Sequence, residues 1–108
     1  MTESNRSSHD LPIACTLAPE DLQRRRAGLL ADCVRTAEDA EQTSTGYRFR
    51  FAPSSAALTT ILTVIDAERQ CCRFLRFQLT VEPDLGAFYL DIAGPAGTAE
   101  FLRDILQR

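Results

Sequence analysis

The segment Tyr47-Arg48-Phe49-Arg50-Phe51 alternates aromatic and basic residues without a break, and it restricts the fold more than any other stretch of the chain. Strand side chains point to opposite faces with a period of two, so this pattern makes a strand with one apolar face and one charged face. The apolar face has to be covered, and the arginine face reads as a solvated sheet surface rather than a nucleic-acid platform. Two further alternating runs follow, Phe77-Gln78-Leu79-Thr80-Val81 and Ala87-Phe88-Tyr89-Leu90-Asp91-Ile92. The turn residues Pro83-Asp84-Leu85-Gly86 lie between them and predict a β-hairpin.

Helical patterns supply the cover. Pro19, Glu20 and Asp21 suit a first helical turn, and a helix of roughly 20 residues is predicted from there. Its apolar positions are Leu22, Leu29, Leu30, Cys33, Val34 and Ala37, with Arg24, Arg25, Arg26, Asp32 and Arg35 on the other face. Residues Glu41 to Gly46 read as a polar turn. After Pro53, Ser54 or Ser55 is placed to cap a second helix with Leu58, Ile61, Leu62, Ile65 and Cys72 on its apolar stripe. Gly94-Pro95-Ala96-Gly97-Thr98 breaks the chain before a last amphipathic helix built on Phe101, Leu102, Ile105 and Leu106. Without a P-loop lysine or a full dinucleotide fingerprint, these glycines read as a turn and helix cap rather than a phosphate cradle.

Residues 1–10 are polar, hold His9 and show no apolar period, so they read as a flexible tail. The short apolar segment Leu11-Pro12-Ile13-Ala14-Cys15-Thr16-Leu17 reads as a strand or extended lead-in. The expected fold class is therefore α+β over residues 11–108. It is a single domain with a small, largely antiparallel sheet, two or three packed helices and the order β-α-β-α-β-β-α. A chain of 108 residues, 44% hydrophobic and 25% charged, is enough for one core that needs no metal to fold.

A net charge of -3 gives no general attraction to phosphate polyanions, so nucleic acid is not expected as a direct partner. No apolar run approaches the roughly 20 residues that span a bilayer, and the N-terminus is not signal-like. The reading is a cytoplasmic chain without a membrane partner. In a reducing compartment its four cysteines are metal ligands, redox groups or core thiols before they are structural disulfides.

Cys71 and Cys72 are adjacent near the end of the second helix, where neighbouring side chains diverge by about 100°. Cys72 is expected to point inward and Cys71 more to the side. A vicinal disulfide needs a strained ring, so joint action of the two thiols calls for a bridging ion, a metalloid or a third thiol. Cys15, at the end of the other short apolar segment that holds a cysteine, is the leading third ligand. Three thiolates suit soft species such as mercuric, arsenite or cuprous ions. A four-cysteine zinc site is not expected, because the chain has no Cys-x-x-Cys pair. Cys33 reads as a core residue.

Arg69, Arg73 and Arg76 lie close enough in sequence to lower the thiol pKa values, while the negative end of the helix dipole opposes them. Glu68, one turn earlier, reads either as a proton relay or ligand-orienting group, or as a surface partner of Arg69 or Arg73. Two readings of the doublet compete: metal or redox function, and plain core packing. The functional branch is soft-metal or metalloid binding for sequestration, delivery or sensing. Its alternative is a thiol-dependent enzyme, either a redox protein or an organometal lyase.

The run Glu68-Arg69-Gln70-Cys71-Cys72-Arg73-Phe74-Leu75-Arg76-Phe77, with Ile13-Ala14-Cys15-Thr16-Leu17 upstream and Gly94-Pro95 downstream, resembles a group of small bacterial domains. These carry a Glu-Arg-x-Cys-Cys-x-Phe-Phe/Leu-x-Phe signature and occur alone or behind regulators of the mercury-resistance (MerR) type. The likeness runs from about Leu11 onward. It implies Cys15, Cys71 and Cys72 as shared thiols, with Glu68 as their acidic neighbour, and it implies a metal-resistance context. Cys33 has no counterpart in the pattern. No helix-turn-helix precedes the domain in this sequence, so a direct regulatory role is not expected.

Overall fold

A computed structural model describes residues 20–107, with side chains from Gly28 onward. Helix α1 (Glu20–Arg35) leads into strands β1 (Asp39–Gln42) and β2 (Gly46–Phe51). Helix α2 (Ser55–Cys71), strands β3 (Arg76–Val81) and β4 (Phe88–Ala93), and helix α3 (Thr98–Leu106) complete the order. The strands form one antiparallel sheet in the order β1-β2-β4-β3. This is the expected α+β architecture, with three helices packed on a small sheet. The expected strand at Leu11–Leu17 and the polar tail fall outside the described residues.

The alternation in β2 produces the two-sided sheet that the sequence requires. Phe49 and Phe51 are buried beside Phe88, Leu90 and Ile92 of β4, and the register sets Phe49 opposite Leu90 and Phe51 opposite Phe88. Arg48 and Arg50 point the other way. Arg48 donates to both carboxylate oxygens of Asp91 at 3.0 and 3.4 Å and lies over the Tyr89 ring. Arg50 reaches Glu38 at 3.6 Å. The arginine face is thus solvated, as expected, and laced with carboxylates.

Three departures from the sequence reading have clear causes. The first helix stops at Arg35, and Asp39–Gln42 pair with β2, so Glu41 and Gln42 of the expected Glu41–Gly46 turn are strand residues. All four side chains of β1 are exposed, so the strand carries no hydrophobic signal and no buried side chain of its own holds it in the sheet. Leu29 and Leu62, assigned to apolar stripes, are about half exposed. The buried stripe of α2 instead runs through Ile61, Val64, Glu68 and Cys71, which continues the same three-and-four spacing by another route.

Local chemistry sets the element ends. Ser54 caps α2, its hydroxyl accepting from the Ala57 N–H at 3.0 Å. Gly97 precedes α3 with φ 99, a conformation that glycine adopts without penalty. Helix α1 packs against both α2 and α3, and α3 lies on β2. Phe101 of α3 meets Phe74 edge to face with ring centroids 5.2 Å apart. The hairpin tip is less well matched to its turn, because Asp84 and Leu85 both hold positive φ, 63 and 57, and Leu85 is 92% exposed.

Two substitutions separate core from turn. Phe49→Ala should cost about 3–5 kcal/mol, since an aromatic ring disappears from the centre of the sheet. Leu85→Gly should stabilise the protein by up to ~1 kcal/mol by relieving a left-handed leucine that packs on little. Urea midpoints at constant slope measure both, and a destabilising Leu85→Gly would show that the leucine makes a contact the turn depends on.

Candidate functional site

The doublet sits where α2 ends. Cys71 is the last helical residue, and Cys72 leaves the helix at φ -98 and ψ 75 while its N–H still donates to the Glu68 carbonyl at 2.6 Å. The Leu75 N–H then donates to the Cys72 carbonyl at 3.1 Å, so the chain turns at once toward β3. This break explains a difference from the expected geometry. The 100° divergence of neighbours holds within a helix, but Cys72 lies just past its end. Both sulfur-bearing residues are therefore buried, Cys71 at 0% and Cys72 at 1% exposure, and Cys71 is not lateral. Phe74 and Leu75 follow them into the core.

Glu68 is the residue whose placement matters most. Of the two sequence readings, the surface partner is overturned: Glu68 is 0% exposed, and Arg69 instead holds Asp66 at 2.8 Å. Its carboxyl oxygen Oε1 lies 3.3 Å from Sγ of Cys72. Burying a carboxyl costs several kcal/mol unless neighbouring groups compensate, so a sequence rarely places one on a core stripe without use for it. The spacing from Ile61 and Val64 to Glu68 and Cys71 was the signal available in the sequence. Reading it required accepting a carboxylate as one of the inward positions.

Arg69, Arg73 and Arg76 all lie at the surface. Arg73 and Arg76 are exposed, so their fields reach the buried sulfurs from high-dielectric solvent, and Arg69 spends its charge on Asp66. The glycine loop, by contrast, belongs to the same neighbourhood. A side chain on Gly94 would come within 3.1 Å of the Phe74 carbonyl and 2.5 Å of Thr98 Oγ1. Gly94-Pro95 therefore packs beside the turn that carries the chain out of the doublet. Thr98 Oγ1 donates to the Pro95 carbonyl at 2.7 Å, giving the turn and helix start expected of this loop.

The four cysteines are not equivalent. Cys33 and Cys71 are thiols, whereas Cys72 is one half of a disulfide. The expected third ligand, Cys15, lies outside the described residues, and it is the sequence's remaining cysteine. Among the described residues, no three His, Cys, Asp and Glu side chains are grouped to hold a metal ion. Cys33, read as a core residue, is buried, and burial pushes its thiol up from 9.0 to about 11. It also borders a hollow of about 260 Å³ with Thr36, Phe51, Thr60 and Ile61, on the α1–α2 side of the core.

Compared with known proteins, the sequence matches no family model, no curated protein and no solved structure. No helix among the described residues is long and apolar enough to cross a membrane.

The Cys33 thiol gives a pH test. Its folded value lies above the unfolded one, so the neutral thiol's contribution is complete below pH 9 and is lost as pH rises through 11. The loss is on the order of 2–3 kcal/mol. Unfolding free energies of wild type and Cys33→Ala, compared from pH 8 to 11, should converge by that amount. A constant difference across the range would mean that the thiol is not desolvated.

Proposed function

We propose that the protein binds a soft metal or metalloid ion of the mercuric, arsenite or cuprous type through the thiolates of Cys15, Cys71 and Cys72, serving sequestration, delivery or sensing. The observation that carries this reading is the burial of Cys71, Cys72 and Glu68 together at the end of α2, with a carboxyl oxygen 3.3 Å from a cysteine sulfur. Core packing alone gives no reason to bury a carboxyl against sulfur, since leucine or methionine would fill the same space without desolvating an acid.

Thiolate is the form that binds such ions, and each thiol gives up a proton on binding. Glu68 lies beside the Cys72 sulfur, and once that sulfur is reduced to a thiol Glu68 is placed to orient it and to accept from its S–H. The chemistry of the donors favours soft ions, because sulfur ligands select mercuric, cuprous and arsenite species over calcium or magnesium. The resemblance to domains found beside mercury-resistance-type regulators points the same way.

The Glu68–Cys72 contact also supports a second reading, a thiol-dependent enzyme in which one cysteine is the nucleophile and Glu68 the proton donor. Turnover separates the two. An enzyme releases product repeatedly, whereas a binding protein stops at one equivalent.

Native mass spectrometry of the reduced protein with mercuric and arsenite ions tests the binding reading. Wild type should take up one ion per chain, and Cys71→Ser and Cys72→Ser should each weaken binding by at least about tenfold. Unchanged affinity in both variants contradicts the proposal.

A further inference from the structure

We infer that β3 is a dimerisation edge: two copies of the chain pair through this strand, antiparallel and centred on Leu79, so that their sheets become continuous. Among the described residues β3 is an outer strand, hydrogen-bonded to β4 on one side only. An outer strand offers a row of backbone groups to any second strand, and folds ordinarily guard it with proline, lysine, inward-facing charge or short length. The run Arg76–Val81 has six residues, no proline or lysine, and Phe77, Leu79 and Val81 on its inner side. Phe77 and Leu79 are only half-buried against the core, Val81 is 56% exposed, and the main helix-to-strand packing is α3 on β2.

The backbone fixes which groups are on offer. Glu82 stands opposite Ala87, and its N–H donates to the Ala87 carbonyl at 3.1 Å. Hydrogen-bonded and non-hydrogen-bonded pairs alternate along an antiparallel ladder, so Thr80, Gln78 and Arg76 also direct N–H and C=O toward β4. Phe77, Leu79 and Val81 direct theirs to the open side. Pairing centred on Leu79 sets Leu79 opposite the partner's Leu79 and Phe77 opposite the partner's Val81, all as hydrogen-bonded pairs, so each of these groups is satisfied. Centring on Gln78 instead opposes Val81 to Leu75, whose N–H is committed to the Cys72 carbonyl. Centring on Thr80 opposes Phe77 to Pro83, which has no N–H.

The same register matches the side chains. Apolar residues meet on the inner side, while on the outer side Gln78 lies opposite the partner's Thr80 and exposed Arg76 opposite the partner's exposed Glu82. The Arg76 pairing forms twice by symmetry, and an exposed ion pair fixes register more than it adds affinity. The other outer strand is unsuited to the role. Strand β1, Asp39-Ala40-Glu41-Gln42, carries two carboxylates and no large apolar side chain, so self-pairing there opposes like charges. Association therefore closes at two copies instead of continuing as a fibre.

The pairing uses none of the cysteines. A single strand pair buries less than the standard interface of about 1,600 Å², so association should fall in the micromolar range. Sedimentation velocity of the full-length chain from about 1 to 500 µM should show a shift from one chain mass to two, equally with and without a reducing phosphine. Val81→Lys, which sets a lysine against the partner's Phe77, should weaken the dimer at least about tenfold. Arg76→Glu and Glu82→Arg should each weaken it about fivefold, and the double variant should return to the wild-type value. Circular dichroism checks that each variant keeps its helix and strand content. A chain that stays monomeric throughout overturns the interface, as does a dimer that needs oxidation or is indifferent to Val81→Lys in a folded variant. Charge reversals without effect, or without recovery in the double variant, overturn the register centred on Leu79.

Discussion

The inner face of the sheet must be kept from water, and the rest of the molecule is arranged by that need. Phe49, Phe51, Phe88, Leu90 and Ile92 present a continuous apolar surface on β2 and β4, and at about 25 cal/mol per Å² its burial is the main stabilising contribution available to a chain of this size. The helices supply the cover with Leu30, Val34, Ile61, Val64, Leu102 and Ile105. The C-terminal end of α2 lies in the core, with Cys71, Cys72, Phe74 and Leu75 all buried, rather than fraying in solvent. The cysteine doublet is buried because it stands at that end.

A helix terminus inside a protein leaves carbonyl groups that need donors. Here the Cys72 N–H satisfies the Glu68 carbonyl, so one residue pair both ends the helix and joins carboxyl to sulfur. This couples structure to chemistry more tightly than surface placement would. Glu68 is held by backbone as well as by packing, and the Cys72 sulfur is fixed relative to it. The negative end of the helix dipole lies at the same point and works against a thiolate. A bound cation reverses that balance, since its charge outweighs a partial dipole charge at contact distance.

Much of the fold was legible because it rests on strong periodicities. The alternation at Tyr47–Phe51 and in the two hairpin strands left little freedom, and the Ser54 cap and the last amphipathic helix followed from local chemistry. What escaped was carried by exposed polar residues or by exceptions to hydrophobic order. Strand β1, Asp-Ala-Glu-Gln, has no buried side chain, so nothing in its composition distinguishes it from a turn. Leu62 fitted a helical stripe as well as Val64 did, and only packing decides between two positions about 160° apart around one helix. At the site, sequence identified the doublet and its acidic neighbour. It did not settle the burial of Glu68, because a carboxylate is ordinarily placed outside by default. Nor did it anticipate that Cys71 would be as buried as Cys72, which depends on where the helix stops.

The central claim is that the cysteine sulfurs around the end of α2 bind one soft ion together. X-ray absorption at the mercury edge of the reduced protein loaded with one mercuric ion per chain tests it directly, because it counts the sulfur atoms bonded to the metal. The account predicts three sulfurs in wild type and a loss of one on replacing Cys71 by serine. A metal bonded to a single sulfur, or a spectrum unchanged by Cys71→Ser and by Cys72→Ser, would contradict it.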